Sequence, residues 1–163
     1  MTKETLKHMS SPEIDQSAPA FDLPATGDQQ ISLTSLAGQN VVLYFYPRDD
    51  TPGCTTESQD FRDLSAEFEK ASTVILGISQ DSIKSHEKFK AKHAMPFDLL
   101  SDESGEVCEA YDVIKLKKMY GKEFMGIERS TFLIDAKGIL RKSWLKVKVP
   151  GHVAEVLESA QAL

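Results

Sequence analysis

Apolar residues fall into short runs and helically spaced sets from about residue 18 onward. Phe21 and Leu23 alternate, Gly27-Asp28 marks a turn, and Ile31, Leu33 and Leu36 return, which predicts a short hairpin or strand pair. Residues 41–46 form an unbroken apolar run of β-branched and aromatic side chains, the signature of a strand buried on both faces. Phe61, Leu64, Phe68 and Ala71 then recur at helical spacing, with Asp60, Arg62, Asp63, Glu67 and Lys70 on the polar face. A second buried strand is predicted over 73–79, a helix over 82–93 carrying Ile83, His86, Phe89 and Lys90, and a third strand over 97–100. Residues 105–111 predict a short helix containing Cys108, and 113–125 a lysine-rich loop. The runs 131–134 and 140–147 flank the turn Asp135-Ala136-Lys137-Gly138 and predict an antiparallel hairpin. Val153, Val156, Leu157 and Ala160 mark a closing amphipathic helix.

Strands alternating with helices, followed by a hairpin and a last helix, predict an α/β sandwich with a mixed central sheet. Residues 1–17 are polar and aperiodic and are expected to be a disordered tail, leaving 18–163 as one domain. Ligands on such sheets bind near the carboxyl ends of the strands.

The end of the 41–46 strand is where the chemistry concentrates. It runs through Pro47-Arg48-Asp49-Asp50 into Thr51-Pro52-Gly53-Cys54. Thr51 suits a helix N-cap, and Pro52 suits the first helical position, where its missing N–H is not needed. Cys54 then falls in the first turn. A helix N-terminus carries unpaired N–H groups and about half a positive charge, which favour a thiolate over a thiol. Asp49, Asp50 and Glu57 are expected to be solvated. His8, His86, His93 and His152 show no metal-ligand spacing and receive no chemistry. Met119, Tyr120, Phe124 and Met125 are expected to serve core or loop packing rather than a binding box.

Composition narrows the classes. The 163 residues, 40% of them hydrophobic, fit one globular domain. A formal charge of −6 disfavours nucleic acid, and Lys115, Lys117, Lys118 and Lys122 are expected to be a solvated face. The longest apolar run, six residues, is too short for a membrane span, and no signal-peptide core is present, so a cytoplasmic protein with no membrane partner is expected. Two widely spaced cysteines support neither a disulfide scaffold nor a zinc site, and without a Cys-x-x-Cys pair a thioredoxin-type oxidoreductase is disfavoured.

The spacing Pro47-x-x-x-Thr51-x-x-Cys54 resembles the active-site signature of the peroxiredoxins. The text Tyr44-Phe45-Tyr46-Pro47 with Thr51-Pro52-Gly53-Cys54-Thr55 is similar to the PrxQ branch, also called bacterioferritin comigratory protein. The likeness extends to the C-terminus, through Gly126-Ile127-Glu128-Arg129-Ser130-Thr131 and residues 144–151. It implies a thioredoxin-like fold with an N-terminal β-hairpin extension, reduction of hydrogen peroxide and organic hydroperoxides, and no metal, flavin or haem. Cys54 is then the peroxidatic nucleophile, and Thr51, Arg129 and Pro47 its catalytic partners. The backbone N–H groups of Gly53 and Cys54 would bind substrate.

Each role has a chemical reason. Sulfur attacks one peroxide oxygen while charge grows on the other. Arg129 would offer a planar fork of donors, Thr51 a hydroxyl that donates and accepts, and Pro47 an apolar ring that limits water.

After attack Cys54 becomes a sulfenic acid that a thiol must capture. Where PrxQ-like proteins carry a resolving cysteine, this chain has Gln59 or Lys90. The leading expectation is therefore a one-cysteine enzyme using an external thiol, thioredoxin or glutaredoxin with glutathione, and working as a monomer. Cys108 is expected to be structural. The alternatives are a two-cysteine enzyme resolved by Cys108 and a non-catalytic redox sensor or chaperone on the same fold.

Overall fold

The structure is a computed structural model that describes residues 11–163. The expected tail therefore lies outside the described residues over 1–10. Its remainder is tied down: Asp15 N–H donates to the Leu140 carbonyl, Leu140 N–H to Gln16, and Ser17 bridges Ile139. The chain thus joins the domain at about Asp15, ahead of the expected boundary.

Strands β1 (Asp22–Ala25) and β2 (Gln29–Ser32) form the expected N-terminal hairpin. β3 (Asn40–Phe45) leads into α1 (Pro52–Asp63) and α2 (Ser65–Lys70), then β4 (Thr73–Ser79), α3 (Ile83–Lys92), β5 (Asp98–Ser101) and α4 (Glu106–Ala110). β6 (Ile114–Met119) and β7 (Lys122–Ile127) pair with each other, and β8 (Ser130–Ile134), β9 (Leu140–Trp144) and α5 (His152–Gln161) complete the chain. The seven-stranded sheet runs β2-β1-β5-β4-β3-β8-β9. β3, β4 and β5 are parallel; the other pairings are antiparallel. This is the expected α/β architecture with a mixed central sheet.

β3 shows why the sheet has two cores. Successive side chains point to opposite faces. Val41, Leu43 and Phe45 join one cluster with Val107, Cys108, Tyr111 and Phe132; Val42, Tyr44 and the following Tyr46 join another with Cys54, Phe61, Phe89 and Val156. A continuous apolar run is what a strand sandwiched between two layers requires. Tyr44 stacks on Phe61 at 4.6 Å between ring centroids, which docks α1 onto the strand that precedes it.

Two expectations need correcting. The helix expected to run on through Ala71 breaks at Leu64, whose φ of −104° and ψ of 7° divide α1 from α2. The lysine-rich stretch 113–125 is a β-hairpin rather than a loop, turning at Tyr120-Gly121 with φ of 53° and 76°. Two consecutive positive-φ residues make the turn whose twist matches antiparallel strands. The signal was the glycine, obscured because the flanking residues bury no continuous face. Tyr120 is 97% exposed, and Leu116, Met119, Phe124 and Met125 are exposed too, so they are surface rather than core.

Candidate active site

Cys54 lies where the sequence placed it, in the first turn of α1, and is only 1% exposed. Thr51 is the N-cap with extended φ and ψ, and Pro52 is the first helical residue. The Thr51 hydroxyl does not cap the helix, however. It donates to the Arg48 carbonyl at 2.9 Å, so Gly53 and Cys54 N–H, in the first turn, keep no side-chain cap. Pro47 is half-buried at the end of the preceding strand.

Arg129 reaches this turn from across the sheet. β8 pairs antiparallel with β3, bringing Ser130 opposite Phe45 and the residue before it to the end of β3. Its Nη2 donates to Cys54 Sγ at 3.4 Å, and its Nη1 donates to Glu57 Oε1 at 2.7 Å. Geometry thus joins two residues 75 positions apart. Burial opposes the guanidinium charge, but Glu57 and Cys54 outweigh it and hold Arg129 above its ordinary value.

Gly53 lets that approach happen. A Cβ there would sit 3.0 Å from Arg129 Nη2. Gly53→Ala is expected to displace the guanidinium and lower the rate of Cys54 with hydrogen peroxide about tenfold or more, because small misplacements at a reacting centre are costly. Competition kinetics on the folded variant checks this.

Glu57 was expected to be solvated and is instead fully buried on the inner face of α1. Its spacing from Cys54, just under one helical turn, could have suggested a shared face. Burial pushes its carboxyl up to about 7, against the pull of Arg129. A neutral Glu57 leaves the Arg129 charge to the sulfur; an ionised one competes for it. Asp49 was also expected to be solvated and is buried, whereas Asp50 is exposed and pairs with Lys92. Lys117 of β6 is lowered by burial and by Arg129, with Cys54 acting the other way, so the hairpin brings a second cation toward the site.

His152, given no role from sequence, is buried with Nε2 2.8 Å from Thr131 Oγ1 on β8. Burial and then the Arg129 charge hold it down at about 4 from an ordinary 6.5, with Glu155 opposing. The two buried groups pull stability in opposite directions. Glu57 binds its proton more tightly folded than unfolded, so it costs stability as pH rises from 4.5 to about 7. His152 binds more weakly folded, so it costs stability as pH falls from 6.5 to about 4. Between about pH 4.5 and 6.5 the two slopes offset each other. Glu57→Gln is expected to expose a stability that rises with pH there, and His152→Gln one that falls; urea unfolding at several pH values measures both.

Cys108 sits in the other core, across the sheet from Cys54. It is 0% exposed, and its backbone N–H donates to Asp102 Oδ2 at 2.7 Å. Burial, then Asp102, raises its thiol far above the ordinary value. Gln59 and Lys90 are engaged elsewhere: the Gln59 amide lies 3.4 Å from His93 Nδ1, and Lys90 pairs with Asp98 at 2.8 Å.

Residues 14–143 match the AhpC/TSA family. The chain is 54% identical over 147 residues to peroxiredoxin Bcp of Bacillus subtilis, covering 90% of this chain and 94% of that protein. It is 53% identical over 145 residues to a putative peroxiredoxin of Coxiella burnetii, covering 89% and 96%. Among solved structures, peroxiredoxin Q of Xanthomonas campestris superposes with a TM-score of 0.85 at 47% identity, over 91% of this chain and 98% of that one. A second structure, from a study of alkyl peroxide reduction by the bacterioferritin comigratory protein of the same organism, superposes with a TM-score of 0.83 at 50% identity, over 87% and 90%.

Proposed function

This chain belongs to the AhpC/TSA family of peroxiredoxins, thiol peroxidases of thioredoxin-like fold, and on that premise we propose that Cys54 is its peroxidatic residue. The carrying observation is the Arg129 guanidinium 3.4 Å from a buried Cys54 sulfur at a helix N-terminus. The Cys54 thiolate attacks one oxygen of ROOH, the S–O bond forms as the O–O bond breaks, and RO⁻ leaves to take up a proton. Cysteine is oxidised to sulfenic acid and the peroxide is reduced to an alcohol or water.

Arg129 and the free N–H groups of Gly53 and Cys54 stabilise the growing negative charge. Thr51 spends its hydroxyl hydrogen on the Arg48 carbonyl, so toward a peroxide O–H it acts as an acceptor. Pro47 walls the sulfur from water. Hydrogen peroxide and organic hydroperoxides both satisfy this chemistry, and the alkyl peroxide activity of the Xanthomonas relative supports the second class.

Recycling requires two external thiols: the first forms a mixed disulfide and releases water, and the second frees Cys54. The opposite placement of Cys54 and Cys108 supports an external reductant, thioredoxin or glutaredoxin with glutathione. Among the described residues no helix is long and apolar enough to cross a membrane. A cytoplasmic setting supplies the thiols. Peroxide consumption with each reductant system, using hydrogen peroxide and then an alkyl hydroperoxide, tests this. Sustained turnover is expected with at least one system; consumption that stops after one equivalent with every reductant would replace the enzyme by a sensor.

A further inference from the structure

A second cluster of buried polar groups lies along the loop that leads into the Cys54 helix, and no step above uses it. Asp49 accepts from Tyr46 Oη at 2.6 Å and from Ser85 Oγ at 2.7 Å, and its Oδ2 lies 2.7 Å from His86 Nδ1. His86 Nε2 is 2.9 Å from the Leu100 carbonyl, which can only accept, so Nε2 carries a hydrogen and one proton lies between Nδ1 and Asp49. The Asp49 backbone N–H donates to Asp81 Oδ2 at 2.8 Å. Asp81 is held in turn by the hydroxyl of Ser79 at 2.6 Å, and its carbonyl accepts from Ser101 at 2.6 Å.

Ligand atoms of Asp49, Asp81 and His86 fall within 4.8 Å of one another, a spacing that also suits a metal. Here hydroxyl and N–H donors already point at the carboxylate oxygens, and both ring nitrogens have partners. That polarity is the reverse of a cation's ligand shell; it is the polarity of a clamp.

The clamp connects to the reaction through one peptide plane. Asp49 N–H and the Arg48 carbonyl belong to the same planar unit, so neither can rotate without the other. Asp81 grips one side of that plane, and the Thr51 hydroxyl donates to the other. Resting on the roles given above to Cys54 and Thr51, we propose that Asp49, Asp81 and His86 are positioning residues. They fix the Arg48–Asp49 peptide and so aim the Thr51 lone pairs at the peroxide. They act on substrate alignment and leave activation of the sulfur to Arg129 and the helix terminus.

The test compares two electrophiles on Cys54. Hydrogen peroxide needs alignment by Thr51, whereas iodoacetamide reports only an accessible thiolate. Asp81→Ala and His86→Ala are expected to lower the hydrogen peroxide rate constant about tenfold to a hundredfold, with the iodoacetamide rate changed less than about twofold. Asp81→Asn, which keeps an acceptor for Asp49 N–H, should recover most of the loss. Thr51→Val should show the same selective loss, and adding Asp81→Ala to it should cost little more, because the two act in series.

A parallel fall of both rates, or full additivity in the double variant, would reduce the clamp to a structural element and overturn the proposal. Should the alanine variants fail to fold, Ser85→Ala and Tyr46→Phe, which each remove one donor to Asp49, carry the same comparison, and an unchanged ratio of the two rates in both overturns it. Wild-type Cys54 inert to peroxide would instead overturn the peroxidase assignment on which the proposal rests.

Discussion

Replacing Cys54 by serine is expected to abolish peroxide consumption, while Cys108→Ser leaves the first reaction and external turnover intact. Both thiols are buried, but the groups around them differ in what they do to a thiolate. Cys54 shares its first helical turn with uncapped N–H groups and receives Arg129, whereas Cys108 faces Asp102 in an apolar layer that disfavours its anion. A disulfide between them needs α-carbons within about 7 Å, and the sheet stands between their side chains. Intact mass under non-reducing conditions, after one equivalent of hydrogen peroxide, should show a sulfenic or further oxidised species in wild type and in Cys108→Ser. Cys54→Ser should show none. A disulfide that disappears in both variants would make Cys108 the resolving residue.

Arg129→Met carries the second large effect: a loss of about 10²–10³ in the rate constant with hydrogen peroxide, the usual cost of removing a donor from developing charge. Arg129→Lys should recover only part of it. A point charge on a flexible stem lacks the fork that reaches Cys54 Sγ with one nitrogen and Glu57 Oε1 with the other.

The methionine variant also leaves Glu57 buried without its cation. Because burial already favours the neutral acid, the stability cost should stay near 1–3 kcal/mol at pH 5 and grow as pH rises through about 7. Adding Glu57→Gln should restore stability and not rate. Rapid-mix competition kinetics and urea unfolding separate the two readouts, and a rate restored by Glu57→Gln would show that Arg129 acts through stability alone.

Local pattern was enough for most of the fold. The apolar run ending at Tyr46 suits a strand covered on both faces, and Thr51-Pro52 suits a helix start, so local pattern alone puts Cys54 in a first turn. The β6–β7 hairpin escaped because it stands apart from the main sheet as its own two-stranded ribbon. A strand with no buried face has no period-two apolar pattern to read.

Site chemistry divides along the same line. Cysteine, threonine and proline stand out in their spacing, whereas Arg129 is marked only by the family resemblance, and the thiol's place on a helix terminus is a property of a few consecutive residues. Glu57, Asp49, His86 and His152 were misread or passed over because charge and polarity in a sequence indicate solvent by default. Their burial depends on what packs over them, and that is supplied by α3, β5, β8 and α5 from distant parts of the chain.

The sequence by itself determined where Cys54 sits and which local elements hold it, since helix starts and buried strands are written in neighbouring residues. Only the tertiary structure decided that Arg129 faces the sulfur, that Glu57 competes for it, and that Cys108 lies beyond the sheet. Those relations come from strand order and from which side of β3 each side chain leaves, and neither is set by local spacing.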